Sequence, residues 1–199
     1  AEDRKVYCKE LEEAMLKEIK SWSSLGTWRP QPKREIQNIT DARWVLRWKR
    51  GADGKRAIKA RLTVRGFKGL QSADVSTYAG TATRWGQRLI CSIVANEKWD
   101  LFSADVGAAF LKGMTFKKLT ELIGEREREV AFTPPRGSEH LFRTCSELRS
   151  VDFQSHALRM LRPGFGLKDS PYAWRVALDQ VMTKLGGRKL SVDKQIYYW

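Results

Sequence analysis

Two runs of alternating residues joined by a short polar turn constrain this chain more than any other feature. From Trp44 to Lys49, Trp44, Leu46 and Trp48 fall on one side, and Val45, Arg47 and Lys49 on the other. Asp53-Gly54 follows, a dipeptide that tolerates positive φ, and Ala57 to Val64 returns with Ile58, Leu62 and Val64 as its apolar set. The pattern predicts a β-hairpin over 44–65 with an apolar face turned to a core. Its polar side is strongly cationic: Arg47, Lys49, Lys55, Arg56, Lys59, Arg61 and Arg65. On charge alone, a solvated face and a surface for a polyanion are equally good readings.

The whole chain leans the same way. Its 199 residues hold 37 Lys and Arg against 23 Asp and Glu, a net charge of +14. Such an excess points to a polyanionic partner, because cations that neutralise phosphates release condensed counterions. Other basic proteins share the excess, so it does not identify the partner. With 42% hydrophobic residues and eight Trp, the chain can bury a core, which excludes a disordered class. Cys8, Cys91 and Cys145 are odd in number and far apart, so they form neither a disulfide framework nor a zinc-ligand spacing. His140 and His156 stand alone. No apolar stretch is long enough to span a membrane, and Ala1 to Lys5 is charged rather than signal-like. The start without Met and the ending Tyr197-Tyr198-Trp199, which reads as an interrupted strand, lead to the expectation of a polyprotein fragment.

Along the chain, Val6, Leu11, Met15, Ile19 and Trp22 share one helical face, and Gly26 reads as the stop. Residues 83–97 read as a helix carrying Leu89, Ile90, Ile93 and Val94. Trp99 to Val106 reads as a strand ending at Asp105, and Ala108 to Gly113 as a short helix or turn. Residues 114–128 are helix-prone, Arg128 to Phe132 reads as a strand, and 136–156 gives no clear pattern. Ser170-Pro171 opens a helix with a hydroxyl at the N-cap and Pro at the first helical position, and Ile196 begins a last strand.

A carboxylate at a strand end followed by a tight turn is a good magnesium ligand, because the strand holds it rigidly and the next carbonyl can join the shell. Asp105-Val106 has this form, as do many aspartates that merely cap a helix. The surrounding segments add a resemblance. Gly26-Thr27-Trp28, Lys59 to Phe67, Asp105-Val106-Gly107-Ala108-Ala109-Phe110-Leu111-Lys112-Gly113 and Gly166-Leu167-Lys168-Asp169-Ser170-Pro171 occur in the order and spacing of conserved motifs of one family. They resemble the reverse transcriptase domain of copia-type LTR retrotransposons, and the resemblance covers about residues 10–199. Val130 to Gly137, with Pro134-Pro135, resembles that family's Pro-Pro-x-Gly segment.

The resemblance implies an α+β fold, the fingers and partial palm of a right-hand polymerase, with β-hairpin fingers and an antiparallel palm sheet with helices. The implied organisation is an N-terminal helical segment 1–24, a fingers-like region 25–98 and a partial palm 99–199. The implied activity is RNA-templated DNA synthesis by two-metal nucleotidyl transfer with two Mg²⁺ ions. Asp105 would be the catalytic metal ligand and Val106 would offer its backbone carbonyl. Lys59, Arg61, Phe110, Gly166 and Lys168 would contact the nucleotide, Phe110 as the ring that excludes a ribose 2′-hydroxyl. Arg47, Lys49 and Arg65 would contact nucleic acid. The implied partners are an RNA/DNA primer-template, dNTPs and the rest of a Gag-Pol-like polyprotein with integrase and RNase H. The implied location is intracellular, cytoplasmic in a particle or nuclear, and not secreted.

The chain also departs from the family. Asp169 stands where the family carries Gln, and Thr81 to Arg84 differs from its Pro-Val-Ala-Arg pattern. The family's Tyr-x-Asp-Asp motif is expected after a strand such as Ile196 to Trp199, and a single carboxylate cannot hold two metals. The isolated chain is therefore expected to be catalytically incomplete. A non-catalytic basic nucleic-acid-binding module, or a decayed element copy, is the alternative.

Overall fold

Helix α1 (Cys8–Ser24) sets the architecture by carrying two fully buried side chains, Ile19 and Trp22, into the centre of the molecule. A computed structural model of the chain describes residues 6–51, 54–70, 76–124 and 126–199. The helix ends where Gly26 takes φ 59°, a left-handed conformation that costs glycine little. Thr27, fully buried, donates its hydroxyl to the Trp22 carbonyl at 2.9 Å and turns the chain into strand β1 (Trp28–Pro32).

Strands β2 (Ile39–Arg50) and β3 (Arg56–Val64) form the expected hairpin, with Trp44 opposite Leu62 and Arg47 opposite Lys59. Asp53 of the expected turn lies outside the described residues. Strands β4 (Ala131–Thr133) and β5 (His156–Met160) complete a five-stranded sheet ordered β1-β5-β4-β2-β3. The sheet is mixed rather than wholly antiparallel, because β2 and β4 run parallel, Ile39 opposite Ala131. Strands from both sides of residue 98 thus share one ladder. Trp22 stacks on Trp28 at 5.6 Å and meets Phe132 edge-on at 6.0 Å, joining α1 to β1 and β4.

The apolar alternation of the hairpin fixes its register. Ala60, Leu62 and Val64 are buried beneath α1, while Arg47, Lys49, Lys59 and Arg61 lie exposed on the opposite face. Arg56 departs from the expected polar set. It lies opposite Arg50 on the Trp48 side, because an even position in this ladder faces α1.

Helix α2 (Arg84–Glu97) has Thr83 as its N-cap, and Asp193 accepts from the Thr83 amide at 2.8 Å and hydroxyl at 2.9 Å. Leu89, Ile90 and Ile93 are exposed there. Helix α3 (Phe116–Ile123) follows and ends at Gly124 with φ 74°. A short helix α4 (Glu139–Phe142) brings Phe142 into the core. Helix α5 (Ser170–Lys184) precedes the small hairpin of β6 (Arg188–Lys189) and β7 (Tyr197–Tyr198), which the Tyr197 hydroxyl and Lys189 tie to Asp179.

Two expectations about these elements need correction. The expected strand from Trp99 to Val106 is irregular and exposed, with Phe102 87% accessible, because no described strand offers it a ladder. Ser170 is not the N-cap of α5. Asp169 holds that position, and the Ser170 hydroxyl donates instead to the Gly164 carbonyl at 2.6 Å.

Asp169 is spent on an ion pair. Its Oδ2 lies 2.9 Å from Nε of Arg128, and both side chains are at most 5% exposed. Burial pushes the Asp169 carboxyl above its usual range, and the Arg128 cation acts against that rise. Removing one member leaves an uncompensated charge in the core. Asp169→Ala is expected to lower unfolding stability in urea by about 3–5 kcal/mol, and the double change Arg128→Met with Asp169→Leu to cost clearly less. An Asp169→Ala protein as stable as the native one would contradict this role.

Candidate functional site

An edge strand leaves alternate amides and carbonyls pointing away from the sheet. On the outer edge of β3, the Val64 amide donates to the Phe165 carbonyl at 2.8 Å and the Leu62 amide to Glu18 Oε1 at 3.3 Å. These two bonds close one half of the edge. The other half, Ala57 to Arg61, borders a cleft of about 740 Å³ between α1 and the loop 105–110.

The loop 163–167 reaches the β3 edge because two glycines permit it. Gly166 has φ 95°, and a Cβ there would overlap the Val64 carbonyl oxygen. A Cβ on Gly66 would lie 2.8 Å from the Gly166 carbonyl oxygen. The Arg65-Gly66-Phe67 and Gly166-Leu167-Lys168 segments therefore touch, backbone to backbone. Gly166→Ala is expected to cost at least about 2 kcal/mol, read as a lowered thermal midpoint, since strain and overlap add. An unchanged midpoint would show that the loop is not docked in this way.

The docking sets Phe165 in the cleft wall. Its ring packs against Phe110 at 5.7 Å, edge to face, and the Arg61 guanidinium lies over it at 5.2 Å. Phe110 belongs to a single 3₁₀ turn, Ala109–Lys112, entered through Ala108 at φ 55° and ψ 36°. A left-handed alanine is strained by roughly 1 kcal/mol, and here it swings the chain from the exposed Asp105-Val106 segment back into the core at Leu111. The Met114 amide donates to the Ala173 carbonyl at 3.3 Å, so α5 supports this loop from behind.

The expected site residues divide into two groups. Asp105, Val106, Phe110, Lys49, Lys59 and Arg61 line the one cleft. Asp105 is exposed and lies at the end of an irregular segment, where a strand end was expected. Arg47 faces Lys59 across the ladder and is not in the cleft wall. Arg65 is engaged elsewhere, 2.8 Å from Asp41. Gly166 is occupied by packing, and Lys168 is exposed outside the cleft lining.

Sequence reasoning passed over Glu18, which also lines the cleft. Its Oε1 accepts from Trp22 Nε1 at 3.1 Å as well as from Leu62. Burial raises its carboxyl above the ordinary range; the hydrogen bonds from Trp22 and Leu62, and after them the charges of Arg61 and Lys59, offset part of that rise. The available signal was its place four residues before Trp22, one helical turn away on the buried side.

Magnesium needs several oxygen donors, and two ions need more than one carboxylate. Among the described residues there is no group of three or more His, Cys, Asp or Glu that could hold a metal. The described residues thus do not by themselves fit a two-ion centre. No helix among them is long and apolar enough to cross a membrane.

In an alignment of 196 residues that takes in 95% of the chain, it is 26% identical to the retrovirus-related Pol polyprotein from transposon TNT 1-94 of Nicotiana tabacum, and it covers 13% of that protein. It is 26% identical over 178 residues to the corresponding polyprotein from transposon RE2 of Arabidopsis thaliana, and 25% identical over 177 residues to that from RE1. Each of these alignments takes in 87% of the chain and 11% of the relative. The chain is therefore similar, across nearly its whole length, to a small part of the Pol polyproteins of plant transposons. No family model matches it, and no solved structure does.

Proposed function

We propose that this chain is the fingers and part of the palm of a retroelement reverse transcriptase, carried within a Pol polyprotein. In this reading its cleft takes the phosphates of an incoming deoxynucleotide and of an RNA/DNA primer-template. The observation that carries the proposal is a juxtaposition. Lys59 and Arg61, from one motif, and Asp105 and Phe110, from another more than forty residues away, line the same cleft with Phe165 of a third. Similarity to Pol polyproteins over nearly the whole chain supports the same reading.

The roles follow from side-chain chemistry. Arg61 is braced on the Phe165 ring and offers a forked donor set to phosphate. Lys59 and Lys49 act as point charges beside it. Phe110, half-buried against Phe165, presents an apolar wall to a sugar ring. Asp105 at the cleft rim would contribute one carboxylate to magnesium, with the Val106 carbonyl beside it. The ions supply charge neutralisation at the reacting phosphates when bound. Because further donors are needed for two ions, no metal-dependent step is assigned to these residues alone.

Two measurements test the proposal. Binding of an RNA–DNA hybrid is expected to weaken with salt, and Lys59→Ala with Arg61→Ala to reduce the slope of log K against log salt by about 2. The same change at the exposed Arg143 and Arg149 serves as the control; an equal loss there would place binding outside the cleft. In the polyprotein carrying this segment, Asp105→Asn is expected to abolish dNTP incorporation and leave primer-template binding within about twofold. Persistent incorporation would remove Asp105 from the chemistry.

A further inference from the structure

Glu18 is the one carboxylate that α1 contributes to the cleft lining, and the proposed roles leave it without a purpose there. It has a structural duty through Oε1, which takes the indole of Trp22 and the amide of Leu62 and so closes one position of the β3 edge. That duty needs an acceptor oxygen, which the side-chain carbonyl of an amide also supplies, through weaker bonds and without the charge. The negative charge is a separate matter. The wall of the same cleft also carries Lys17 on α1, Lys49 and Arg50 on β2, Lys59 and Arg61 on β3 and Asp105 on the facing loop. Lys59 and Arg61 act on Glu18 electrostatically, and among the described residues neither makes an ion pair within 4.0 Å.

We infer that Glu18 is a positioning residue whose carboxylate serves as the built-in counterion of Arg61 and Lys59, and that a bound phosphate group takes those two cations over from it. The inference rests on the cleft being a phosphate site. It accounts for a partly buried carboxylate beside the cations that a polyanion would use. With the cleft empty, Glu18 balances the pair and keeps α1 seated on the strand edge. With phosphate present, two negative charges compete for the same cations, and Glu18 weakens binding in proportion to its ionisation.

The sign of the pH effect follows. Glu18 is raised above the ordinary carboxylate range by burial. As pH falls through its titration the competing charge disappears, so phosphate binding tightens. By linkage, phosphate binding must push the Glu18 titration further up.

Inorganic tripolyphosphate is the probe. Glu18→Gln keeps the acceptor oxygen and removes the charge, and its affinity at pH 8 and low salt is expected to exceed the native value by about tenfold. The ratio of the two affinities is expected to fall toward one on acidification, a change that a purely structural role would not produce. A second measurement needs no variant: the Glu18 carboxyl signal of the native chain, followed by NMR, is expected to titrate at higher pH with saturating tripolyphosphate than without. Equal affinities, or an unmoved Glu18 titration in a chain that does bind the probe, would overturn the inference and leave the cleft reading standing. A native chain that does not bind tripolyphosphate at all would overturn both.

Discussion

Strand β3 lies at the outer end of the sheet, and everything proposed for this molecule depends on how its free edge is settled. Backbone amides that point away from a sheet need partners or water. Here a carboxylate from α1 takes one, and a carbonyl from the 163–167 loop takes the next. Both contacts come from segments distant in sequence, so the edge gathers α1, the hairpin and the loop before α5 at one place. The part left uncovered is the floor of the cleft. If the loop could not approach, Phe165 would not stand beneath Arg61, and the cations of β3 would be an ordinary solvated face.

Charge follows from this geometry. The hairpin alternates strictly enough that burying Ala60, Leu62 and Val64 under α1 forces Lys59 and Arg61 outward. Their cations meet the Asp105 loop only because Ala108 reverses the chain in a left-handed conformation. The cleft therefore combines basic side chains, two phenylalanine rings and two carboxylates, Asp105 and Glu18. Only the first of those carboxylates lies in a segment that resembles a reverse transcriptase motif. The second is tied to the fold by hydrogen bonds and to the cations by charge.

Much of the fold was legible because its signals are local. The hairpin and its two faces came from period-two alternation, and α1 from an apolar stripe of which Leu11, Met15, Ile19 and Trp22 lie in the helix while Val6 precedes it, exposed. The start of α5 came from Ser170-Pro171, although Asp169 and not Ser170 proved to be the cap. Strand β5 was illegible for a physical reason. It lies between β1 and β4, and Ala157 and Leu158, consecutive residues on opposite faces, are both fully buried, so no alternation marks it. Residues 99–106 carried the composition of a strand, yet composition cannot supply the neighbour that a ladder requires. In the site, residue type indicated which cations to consider but not which were free. Arg65 reads like Arg61 in sequence and is claimed by Asp41, a partner visible only once β2 and β3 are paired.

The central claim is that the uncovered part of the β3 edge, with the facing loop 105–110, is where nucleic acid sits. Photocrosslinking an RNA–DNA hybrid carrying halogenated pyrimidines to the chain, followed by peptide mapping, tests it most directly. The account predicts adducts within residues 57–61 and 105–110 and at Phe165, with Phe110 and Phe165 as the aromatic acceptors. Adducts confined to the exposed α2 or to the β6–β7 hairpin, with none in the cleft, would contradict it.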